Sequence, residues 1–291
     1  METSRPVVYV TGAAKGIGFV IVHHLAKIGY RVYAMVRNSS NTSDLDRLIE
    51  KFSPQLTKLI GDVTEASSIE ENIQKIISTS GRIDVVINNA LHVVVGTCET
   101  CTIEEQKQSM DVNYFGTVRV LQSVLPYMRK QRSGHIINIS SVAGYEPFPH
   151  LESYVASKFA LEGLTESLAT HLSPWNIRVS LIEPGGVKTE GSRGALLGSR
   201  TLKDTGAYKK YCAHAKQQMI DGYHTSMEPE IIAHLTQEIL ESENPHLRYP
   251  VGDFAIARAK ERFQDPTGDA YVQHKTSLLK DSSLFDHLEG N

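Results

Sequence analysis

Residues 7–18 read VVYVTGAAKGIG, a short run of β-branched and aromatic residues that leads directly into a glycine-rich turn. The run is typical of a buried strand, and the apolar stretch that follows through Ile28 has the pattern of a helix. Glycines at such a turn let the backbone approach a pyrophosphate, and the helix N-terminus supplies free amides and a partial positive charge. The spacing is Gly-x-x-x-Gly-x-Gly, not the Gly-x-Gly-x-x-Gly of the usual dinucleotide fingerprint. We predict a phosphate-binding turn at Gly12, Gly16 and Gly18, with an ordinary tight turn as the alternative.

Strand-like and helix-like segments continue to alternate along most of the chain. Nearly continuous hydrophobic runs are typical of strands whose two faces are both covered by helices. The later runs are RVYAMV (31–36), QLTKLIGDV (55–63), RIDVVINNA (82–90), HIINIS (135–140), IRVSLIEP (177–184) and LRYPV (247–251). The first intervals leave room for a helical crossover each time. We therefore predict an α/β fold, a doubly wound parallel β-sheet of the Rossmann type flanked by helices.

We treat residues 1–291 as a single domain with two additions. Thr102 and Glu105 form a capping-box start for a helix that runs to about residue 130. Between residues 190 and 227 the pattern breaks into short apolar pieces among Gly, Ser and Lys. Segments of this length inside a compact domain are usually functional, so we predict a substrate lid there. Residues 251–291 are expected to form a C-terminal extension.

The composition excludes several classes of protein. With 41% hydrophobic and 22% charged residues, the chain is expected to have a sizeable core. A net charge of -3 lacks the basic surplus that nucleic acids or anionic membranes attract, so we expect neither partner. No apolar run approaches the roughly 20 residues of a membrane span, so no integral membrane segment is expected. The start METSRPVVYVTG lacks a signal-peptide pattern, and three cysteines suit a reducing compartment, which predicts a cytoplasmic protein.

Cys98 and Cys101 form a Cys-x-x-Cys pair that resembles half of a zinc site. A structural zinc ion needs a second pair of ligands, and the remaining cysteine, Cys212, stands alone in the sequence. We therefore predict structural thiols and no metal site.

The end of the second strand decides which dinucleotide is expected. An acid there normally binds the adenine-ribose hydroxyls and indicates NAD, whereas this chain has Val36 followed by Arg37. A guanidinium can pair with the oxygens of a 2′-phosphate, and Lys15 in the glycine turn can add a second positive charge. The alternative is that both are solvated surface cations. Two cations and a missing acid favour NADP(H). Asp62, after the third strand, is expected to accept from the adenine amino group unless it only forms a turn.

Tyr154 and Lys158, four residues apart, would lie on the same face of a helix predicted from about residue 154 to residue 172. Reduction of a carbonyl by hydride needs a proton donor at the oxygen, and the reverse reaction needs a base. A free tyrosine, with a pKa of about 10, is a poor base at neutral pH. A neighbouring ammonium would lower that pKa. Alone the pair is a weak motif, because most such pairs are surface residues of a helix.

Six motifs occur in the order and places that characterise one enzyme family. They are TGAAKGIG (11–18), INNA (87–90), DVNYFG (111–116), NISSVAG (138–144), YVASK (154–158) and EPGGVKT (183–189). The chain thus resembles the short-chain dehydrogenase/reductase family over essentially its whole length. The stretches YVASKFALEGLTESLA, LRYPVG and RFQDPTGDAYVQ are similar to the branch with 17β-hydroxysteroid dehydrogenase type 1 and the all-trans-retinol dehydrogenases.

The resemblance implies a role for each matching residue. Tyr154 would exchange the proton, Lys158 would lower the pKa of Tyr154 and bind the nicotinamide ribose, and Ser141 would orient the substrate oxygen. Ser141 is preferred to Ser140 because its interval to Tyr154 is that of the family. Asn113 would hold a water that links Lys158 to solvent. The expected cofactor contacts are Gly12, Lys15, Gly16, Ile17, Gly18, Arg37, Asp62, Val63, Asn88, Ala90, Tyr154, Lys158, Val187 and Thr189.

These assignments imply an NADP(H)-dependent oxidoreductase that interconverts an alcohol and its carbonyl, with an apolar steroid- or retinoid-like small-molecule substrate. Two alternatives stay open: the same chemistry on small carbonyls or acyl intermediates, and a cofactor-binding sensor or scaffold with vestigial activity. The complete catalytic set argues against a scaffold. One departure from the family is Leu91, which stands where the family has glycine, and we expect a modestly altered loop beside the nicotinamide.

Two predicted helices carry apolar faces that suggest an assembly. The residues are Val118, Leu121 and Leu125 on the first helix and Phe159, Leu164 and Leu168 on the second. The corresponding helices of the family pair across a two-fold axis, so a homodimer or homotetramer is expected. Burial against the sheet inside one subunit is the competing explanation.

Overall fold

The computed structural model describes residues 5–189, 196–197, 208–222 and 226–264. The strands are β1 (Val7–Thr11), β2 (Arg31–Val36), β3 (Leu56–Ile60), β4 (Val85–Asn88), β5 (Val94–Val95), β6 (Gly134–Ile139), β7 (Ile177–Pro184), β8 (Leu196–Leu197) and β9 (Arg248–Val251). The α-helices are α1 (Gly16–Lys27), α2 (Ser43–Phe52), α3 (Ala66–Ser80), α4 (Ile103–Met110), α5 (Gly116–Gln131), α6 (Glu152–Leu172), α7 (Tyr208–Gly222), α8 (Glu230–Glu241) and α9 (Asp253–Arg262).

Seven of the strands form one parallel sheet in the order β3-β2-β1-β4-β6-β7-β9. The prediction of a doubly wound parallel sheet is therefore confirmed. The chain moves outwards from β1 to β3 and then crosses back to β4, so the order reverses between β1 and β4. In open α/β sheets, ligands bind at the carboxyl ends of the strands beside such a reversal.

Two hydrophobic cores cover the two faces of the sheet. Because successive side chains of a strand point to opposite faces, Val8 and Val10 of β1 enter one core, where they join Ile21 of α1. Val7 and Tyr9 enter the other core, which also contains residues of α3 and α5. All five side chains are buried. The continuous apolar runs of the sequence thus reflect a sheet that is covered on both sides.

The helix expected from Thr102 to about residue 130 is present and contains one irregular turn. Its capping box forms as predicted, with Thr102 N 2.8 Å from the Glu105 carboxylate and Glu105 N 3.2 Å from the Thr102 hydroxyl. However, Asp111–Phe115 is a π-helical turn between α4 and α5, in which Gly116 N donates to Asp111 O. α4, this turn and α5 follow one another without a gap as far as Gln131, so the predicted long helix is confirmed, and the π-helical turn inside it was not predicted. Such turns often mark functional sites in helices.

The lid predicted at 190–227 is described only at residues 196–197, 208–222 and 226–227, and the rest of that segment lies outside the described residues. β8 pairs in parallel with β5 and forms a separate two-stranded sheet. The predicted extension, 251–291, is described as far as residue 264. Its first residue, Val251, ends β9 at the edge of the main sheet. Within the described ranges, no helix combines the length and the apolar character that crossing a bilayer requires.

The helix faces proposed for assembly are used largely inside the subunit. Leu121 is buried, and Leu125, Leu164 and Leu168 pack against the same core as α3 and α5. Phe159 remains 37% exposed. Most of that apolar pattern is therefore explained by burial against the sheet.

Candidate active site

A cavity of about 750 Å³ lies at the carboxyl ends of the strands. It is lined by residues that follow β4, β6, β7 and β9, together with the start of α1 and one face of α6. Of the predicted site residues, the cavity brings together Ile17, Ser141, Tyr154, Lys158 and Val187 with Thr189. The position is the one that the reversal of strand order favours.

The glycine turn at one end of the cavity has the conformation that its sequence suggests. Gly12 and Gly16 have positive φ angles of 66° and 60°, a region that residues with side chains rarely adopt. At Gly18, a Cβ atom would lie 2.5 Å from both the Asn89 side-chain nitrogen and the Gly12 carbonyl oxygen. Only glycine fits at these positions, which keeps the backbone amides of the turn close to the cavity.

Asn89 fastens this turn and was not among the predicted site residues. Its side-chain nitrogen donates to the carbonyl oxygens of Thr11 and Gly12, each at 3.0 Å, and its backbone nitrogen donates to the Thr11 hydroxyl. Asn89 also lines the cavity. Its place between Asn88 and Ala90 in the INNA motif was the available signal, but the motif alone does not tell which asparagine faces the turn.

Ala90 and Asn88, the two neighbours of Asn89, connect this motif to the glycine turn and to β6. Ala90 N donates to the Thr11 hydroxyl at 3.1 Å. Asn88 is buried and donates to the Asn138 side-chain oxygen at 2.8 Å. The Asn88 Oδ1 and Ser140 Oγ atoms are buried without a hydrogen-bond partner in the part of the chain that the structure describes.

The residues predicted at the adenosine end surround the ends of β2 and β3. Arg37 directly follows β2 and is exposed. The pKa of His92, in the loop after β4, is lowered mainly by the burial of His92 and also by the positive charge of Arg37. Lys15 is exposed at the start of α1. Asp62 accepts hydrogen bonds from Thr64 N and Thr64 Oγ1, so it forms the turn that the sequence allowed as an alternative.

Val63 lies at the junction of β3 with the π-helical turn. Its side chain is buried against Gly116, where a Cβ atom would lie 2.8 Å from Val63 Cγ2. The Val63 carbonyl accepts from Arg119 at 3.2 Å. Any contact of Val63 with a cofactor would therefore be made by its main chain.

Tyr154 and Lys158 lie on α6, one turn apart, and both line the cavity. The Lys158 ammonium nitrogen lies 5.9 Å from the Tyr154 ring centre and donates to the Ile139 carbonyl oxygen at 2.9 Å. Burial lowers the pKa of Lys158 to about 8, an effect that the charge of Glu162 opposes. The expected pairing on one helix face is therefore present.

The expected effect of this pairing on Tyr154 is not present. Burial raises the pKa of Tyr154 to about 12, and the opposing contribution comes from hydrogen bonding with Ser141. The ammonium of Lys158 was predicted to lower this pKa, but desolvation of the phenol is the larger effect. Tyr154 therefore holds its proton at neutral pH and has the protonation state of a proton donor.

Ser141 lies where β6 ends and the short 3₁₀ turn Val142–Gly144 begins. Its hydroxyl oxygen accepts from Ala143 N at 3.1 Å and interacts with the Tyr154 hydroxyl. Ser140 also lines the cavity. The interaction with Tyr154 supports Ser141 as the residue that shares a substrate oxygen with the tyrosine.

Asn113 lies inside the π-helical turn and is buried. Its side-chain oxygen accepts from His92 N at 2.8 Å, and its side-chain nitrogen donates to His92 O and Ser157 Oγ, each at 2.9 Å. The side chain thus joins the loop after β4 to α6, directly before Lys158. The water expected between Asn113 and Lys158 stays a prediction.

The segment after β7 connects the predicted cofactor residues with the end of the predicted lid. Val187 pairs in parallel with Met227, where Lys188 N donates to Met227 O at 2.9 Å and Met227 N donates to Gly186 O at 3.1 Å. Val187 and Met227 both line the cavity.

The remaining cavity wall is mainly apolar and was not predicted residue by residue. Its side chains come from the loop after β4, from the segment between β6 and α6, from the segment before α8 and from the start of α9. They include Val93, Val142, Phe148, Leu151, Met227 and Phe254. Leu91, the departure from the family pattern, also lines the cavity and is half exposed.

The arrangement fits a bound dinucleotide and a small apolar molecule. The glycine turn presents backbone amides at a helix N-terminus, as phosphate recognition requires. The unpartnered buried oxygens of Asn88 and Ser140 mark polar positions beside the cavity. Tyr154 and Ser141 also line the cavity, with Lys158 beside them, and apolar side chains make up most of the remaining wall.

Sequence comparisons agree with this arrangement. The model of the short chain dehydrogenase family matches residues 6–196. The 3-ketodihydrosphingosine reductase of Bacteroides thetaiotaomicron is 40% identical over 183 residues, which are 63% of this chain and 64% of that protein. The human 17-beta-hydroxysteroid dehydrogenase type 1 is 33% identical over 281 residues, 92% of this chain and 84% of that protein. Retinol dehydrogenase 8 of Bos taurus is 31% identical over 288 residues, 96% of this chain and 92% of that protein.

The family model covers well over half of the chain, and two of these relatives match it almost from end to end. The predicted resemblance to the branch of hydroxysteroid and retinol dehydrogenases is confirmed by the same two relatives. The chain belongs to the short-chain dehydrogenase/reductase family.

Proposed function

We propose that this protein is an NADP(H)-dependent oxidoreductase that interconverts an apolar carbonyl compound and its alcohol. The observation that carries the proposal is the convergence of Ser141, Tyr154 and Lys158 on one wall of an apolar cavity. A glycine turn suited to a pyrophosphate lies at the same edge of the sheet. Each of these features has a defined task in hydride transfer to a carbonyl.

The chain's own residues supply the proton and hold the reacting oxygen. When bound, the reduced nicotinamide supplies the hydride that the carbonyl carbon accepts. Tyr154 is protonated at neutral pH, as an ordinary tyrosine is, and burial raises its pKa further; it donates its phenolic proton to the carbonyl oxygen. Ser141 hydrogen-bonds the same oxygen and stabilises the negative charge that develops there. Solvent then returns one proton to Tyr154, so that one carbonyl, one hydride from the reduced nicotinamide and one proton are consumed for each alcohol formed.

Lys158 has two tasks in this proposal. Its ammonium lies beside the tyrosine ring, where a positive charge stabilises the phenolate left after proton donation. In the proposal, the same ammonium also binds the nicotinamide ribose. Asn113 holds this part of the site together through its bonds to His92 and Ser157.

The preference for NADP(H) over NAD(H) rests on charge at the adenosine end. Arg37 and Lys15 are both exposed there, and Val36 stands where an acid would bind the ribose hydroxyls of NAD. An acid would also repel a 2′-phosphate. The guanidinium of Arg37 suits phosphate oxygens in charge and in geometry.

The apolar wall supports a bulky apolar substrate. A cavity of about 750 Å³ lies within the usual size range of small-molecule sites. Three relatives are named for a steroid, a retinol and a 3-ketosphingoid compound, all large and mainly apolar. We therefore propose a steroid- or retinoid-like carbonyl as the first candidate substrate of this chain.

The experiment is a carbonyl panel with the loss of NADPH absorbance as the readout. The panel contains all-trans-retinal, a 17-ketosteroid, a long-chain 3-keto amino alcohol and acetaldehyde, with the Tyr154→Phe protein as the blank. We expect kcat/KM for one of the large apolar carbonyls to exceed that for acetaldehyde by about a hundredfold or more, because binding of the extra apolar surface contributes to catalysis. Equal or better reduction of acetaldehyde would contradict the proposed substrate class.

We also propose a cytoplasmic homodimer or homotetramer. Phe115, directly before α5, and Phe159, two turns into α6, are 47% and 37% exposed and offer an apolar contact surface. Light scattering at micromolar concentration is expected to give a multiple of the 32.2 kDa subunit mass. A monomer mass for the wild type would contradict the proposed assembly and would leave the proposed enzymatic activity unaffected.

A further inference from the structure

One face of α6 carries four polar residues at intervals of one helical turn, namely Tyr154, Lys158, Glu162 and Glu166. The first two line the cavity. The third, Glu162, is buried although it is a carboxylate, and its side chain is only 7% exposed. A buried carboxylate one turn from the catalytic lysine needs an explanation, since burying a charge is costly unless it is paired.

Arg248 of β9 pairs with this carboxylate. One guanidinium nitrogen lies 2.5 Å from Glu162 Oε2 and also contacts the Glu183 carboxylate, while the other lies 2.6 Å from Glu166 Oε1. Glu183 is completely buried on β7, and Glu166 is 53% exposed. Three carboxylates from two elements therefore meet at one arginine from a third.

The cluster of Glu162, Glu183 and Arg248 touches each segment that builds the catalytic wall. Glu162 packs against Gly144, where a Cβ atom would lie 2.6 Å from Glu162 Oε1, just after the Ser141 segment. Glu183 directly precedes Pro184, which ends β7 and lines the cavity. Glu162 itself shares α6 with the catalytic pair. The cluster thus lies directly behind the active site.

The charge of Glu162 acts on both buried neighbours. It raises the pKa of Lys158, against the lowering by burial. It also contributes, after burial, to raising the pKa of the Glu183 carboxyl. A raised pKa favours the neutral form of Glu183, which reduces the repulsion between two adjacent buried carboxyl groups.

We propose that Glu162 is a positioning residue for Lys158: held in place by Arg248, it supplies the negative charge that keeps the buried lysine an ammonium. This inference deepens the proposed function and rests on it. Because Arg248 belongs to β9, the charge of the catalytic lysine would then depend on a strand at the edge of the sheet. The ionisable groups around the cluster are Tyr154 and Glu166 on α6, Tyr145 and Glu146 after Ser141, Glu183 on β7 and Arg248 on β9.

The simpler alternative is that the cluster only fastens β9 to the sheet. Both accounts predict some loss of stability when the cluster is changed. Only the proposed account predicts that the pH dependence of the site changes, because only it links Glu162 to the charge of Lys158.

The experiment compares Glu162→Gln with Glu166→Gln in the full-length protein. Glu166 is on the same helix and bonds the same arginine, but it is one turn further from Lys158 and half exposed, where water screens its charge. NADPH affinity is measured by fluorescence titration across pH, together with kcat/KM for the best substrate of the panel. The affinity measurement needs no substrate, so it reports on Lys158 even if no carbonyl is turned over.

For Glu162→Gln, both properties should decline at lower pH than in the wild type. At about pH 8.5 we expect a loss of about three- to tenfold, and at about pH 6 values within about twofold of the wild type, because the lysine is protonated there in both proteins. Glu166→Gln should follow the wild-type curve. Identical pH curves for Glu162→Gln and Glu166→Gln would overturn the inference.

A second pair covers the case in which Glu162→Gln does not fold. Glu162→Asp and Glu162→Asn are matched in size and differ in charge, so the asparagine variant should lose cofactor affinity at alkaline pH and the aspartate variant should not. Equal curves for these two proteins would also overturn the inference. A wild type that binds NADPH but reduces no carbonyl would instead contradict the proposed function, and the affinity curves would still decide the role of Glu162.

Discussion

Lys158 follows Tyr154 by one turn of α6, with its ammonium nitrogen 5.9 Å from the centre of the tyrosine ring and 2.9 Å from the carbonyl oxygen of Ile139. Burial moves the two pKa values in opposite directions, that of Tyr154 up to about 12 and that of Lys158 down to about 8. Both shifts have the same cause, since a low-dielectric surrounding disfavours the charged form of each group. Of the two, only the lysine changes its charge close to physiological pH.

The first prediction concerns the alkaline limb of the pH profile. Lys158 is an ammonium below its pKa of about 8 and loses the proton as the pH rises through that value. Carbonyl reduction and NADPH affinity should therefore both decline from about pH 8 upwards, by about tenfold for each further pH unit. Initial rates and fluorescence titrations from pH 6 to pH 10, at roughly half-unit steps, measure both.

The Lys158→Arg variant is the control for this assignment, because a guanidinium stays protonated over the whole range. Its rate will be lower, since the planar group is larger, but its residual activity should lack the decline near pH 8. A decline at the same pH in the arginine variant would assign the limb to another group.

The second prediction concerns cofactor choice. Arg37→Ala should weaken NADPH binding by about tenfold or more and leave NADH binding within about twofold, because only the contact with the 2′-phosphate is lost. Arg47→Ala is the matched control, since Arg47 is an exposed cation on α2 that pairs with Asp44. Dissociation constants for both cofactors decide the question. Similar losses for NADPH and NADH would contradict a phosphate contact.

The third prediction concerns the segment from residue 190 to residue 227. Its last residues, Ser226 and Met227, line the cavity, and its strand β8 pairs with β5. We predict that the segment covers an apolar substrate and excludes water from hydride transfer. Its protection from hydrogen exchange should rise when NADPH and an unreactive sterol- or retinoid-like ligand are added together, while peptides from α2 stay unchanged.

The lid prediction has a second measurement. Replacing residues 198–206 by a short Gly-Ser linker should reduce the preference for large apolar carbonyls over acetaldehyde. Equal exchange with and without the two ligands, together with an unchanged substrate preference in the shortened protein, would show that the segment is not a lid.

The sequence predicts the local features of this site well. The glycine turn, the capping box of α4 and the Tyr154–Lys158 spacing each depend on residues within one turn or one helix, so their geometry follows from short-range rules. The doubly wound parallel sheet followed from the alternation of elements, because parallel strands joined by helices have few possible arrangements. These are the parts of the fold that the structure confirms.

The features that the sequence did not predict depend on contacts between distant segments. The bonds from Asn89 to the glycine turn join residues almost 80 positions apart, and those from Arg248 to Glu162 join residues separated by 86. The π-helical turn at Asn113 is held by His92 and Ser157, which no local pattern associates. The raised pKa of Tyr154 also depends on packing from several elements, so spacing alone predicted its direction wrongly.

The central claim is that Tyr154 donates the proton during carbonyl reduction, and its most direct test is Tyr154→Phe. The substitution keeps the ring and its packing and removes only the hydroxyl. NADPH affinity should stay within about twofold of the wild type, because the lysine and the glycine turn are unchanged, whereas the rate of NADPH oxidation in a single turnover should fall by about a hundredfold to ten-thousandfold. A single-turnover rate within about tenfold of the wild type would show that the proton comes from another group and would contradict the proposed mechanism.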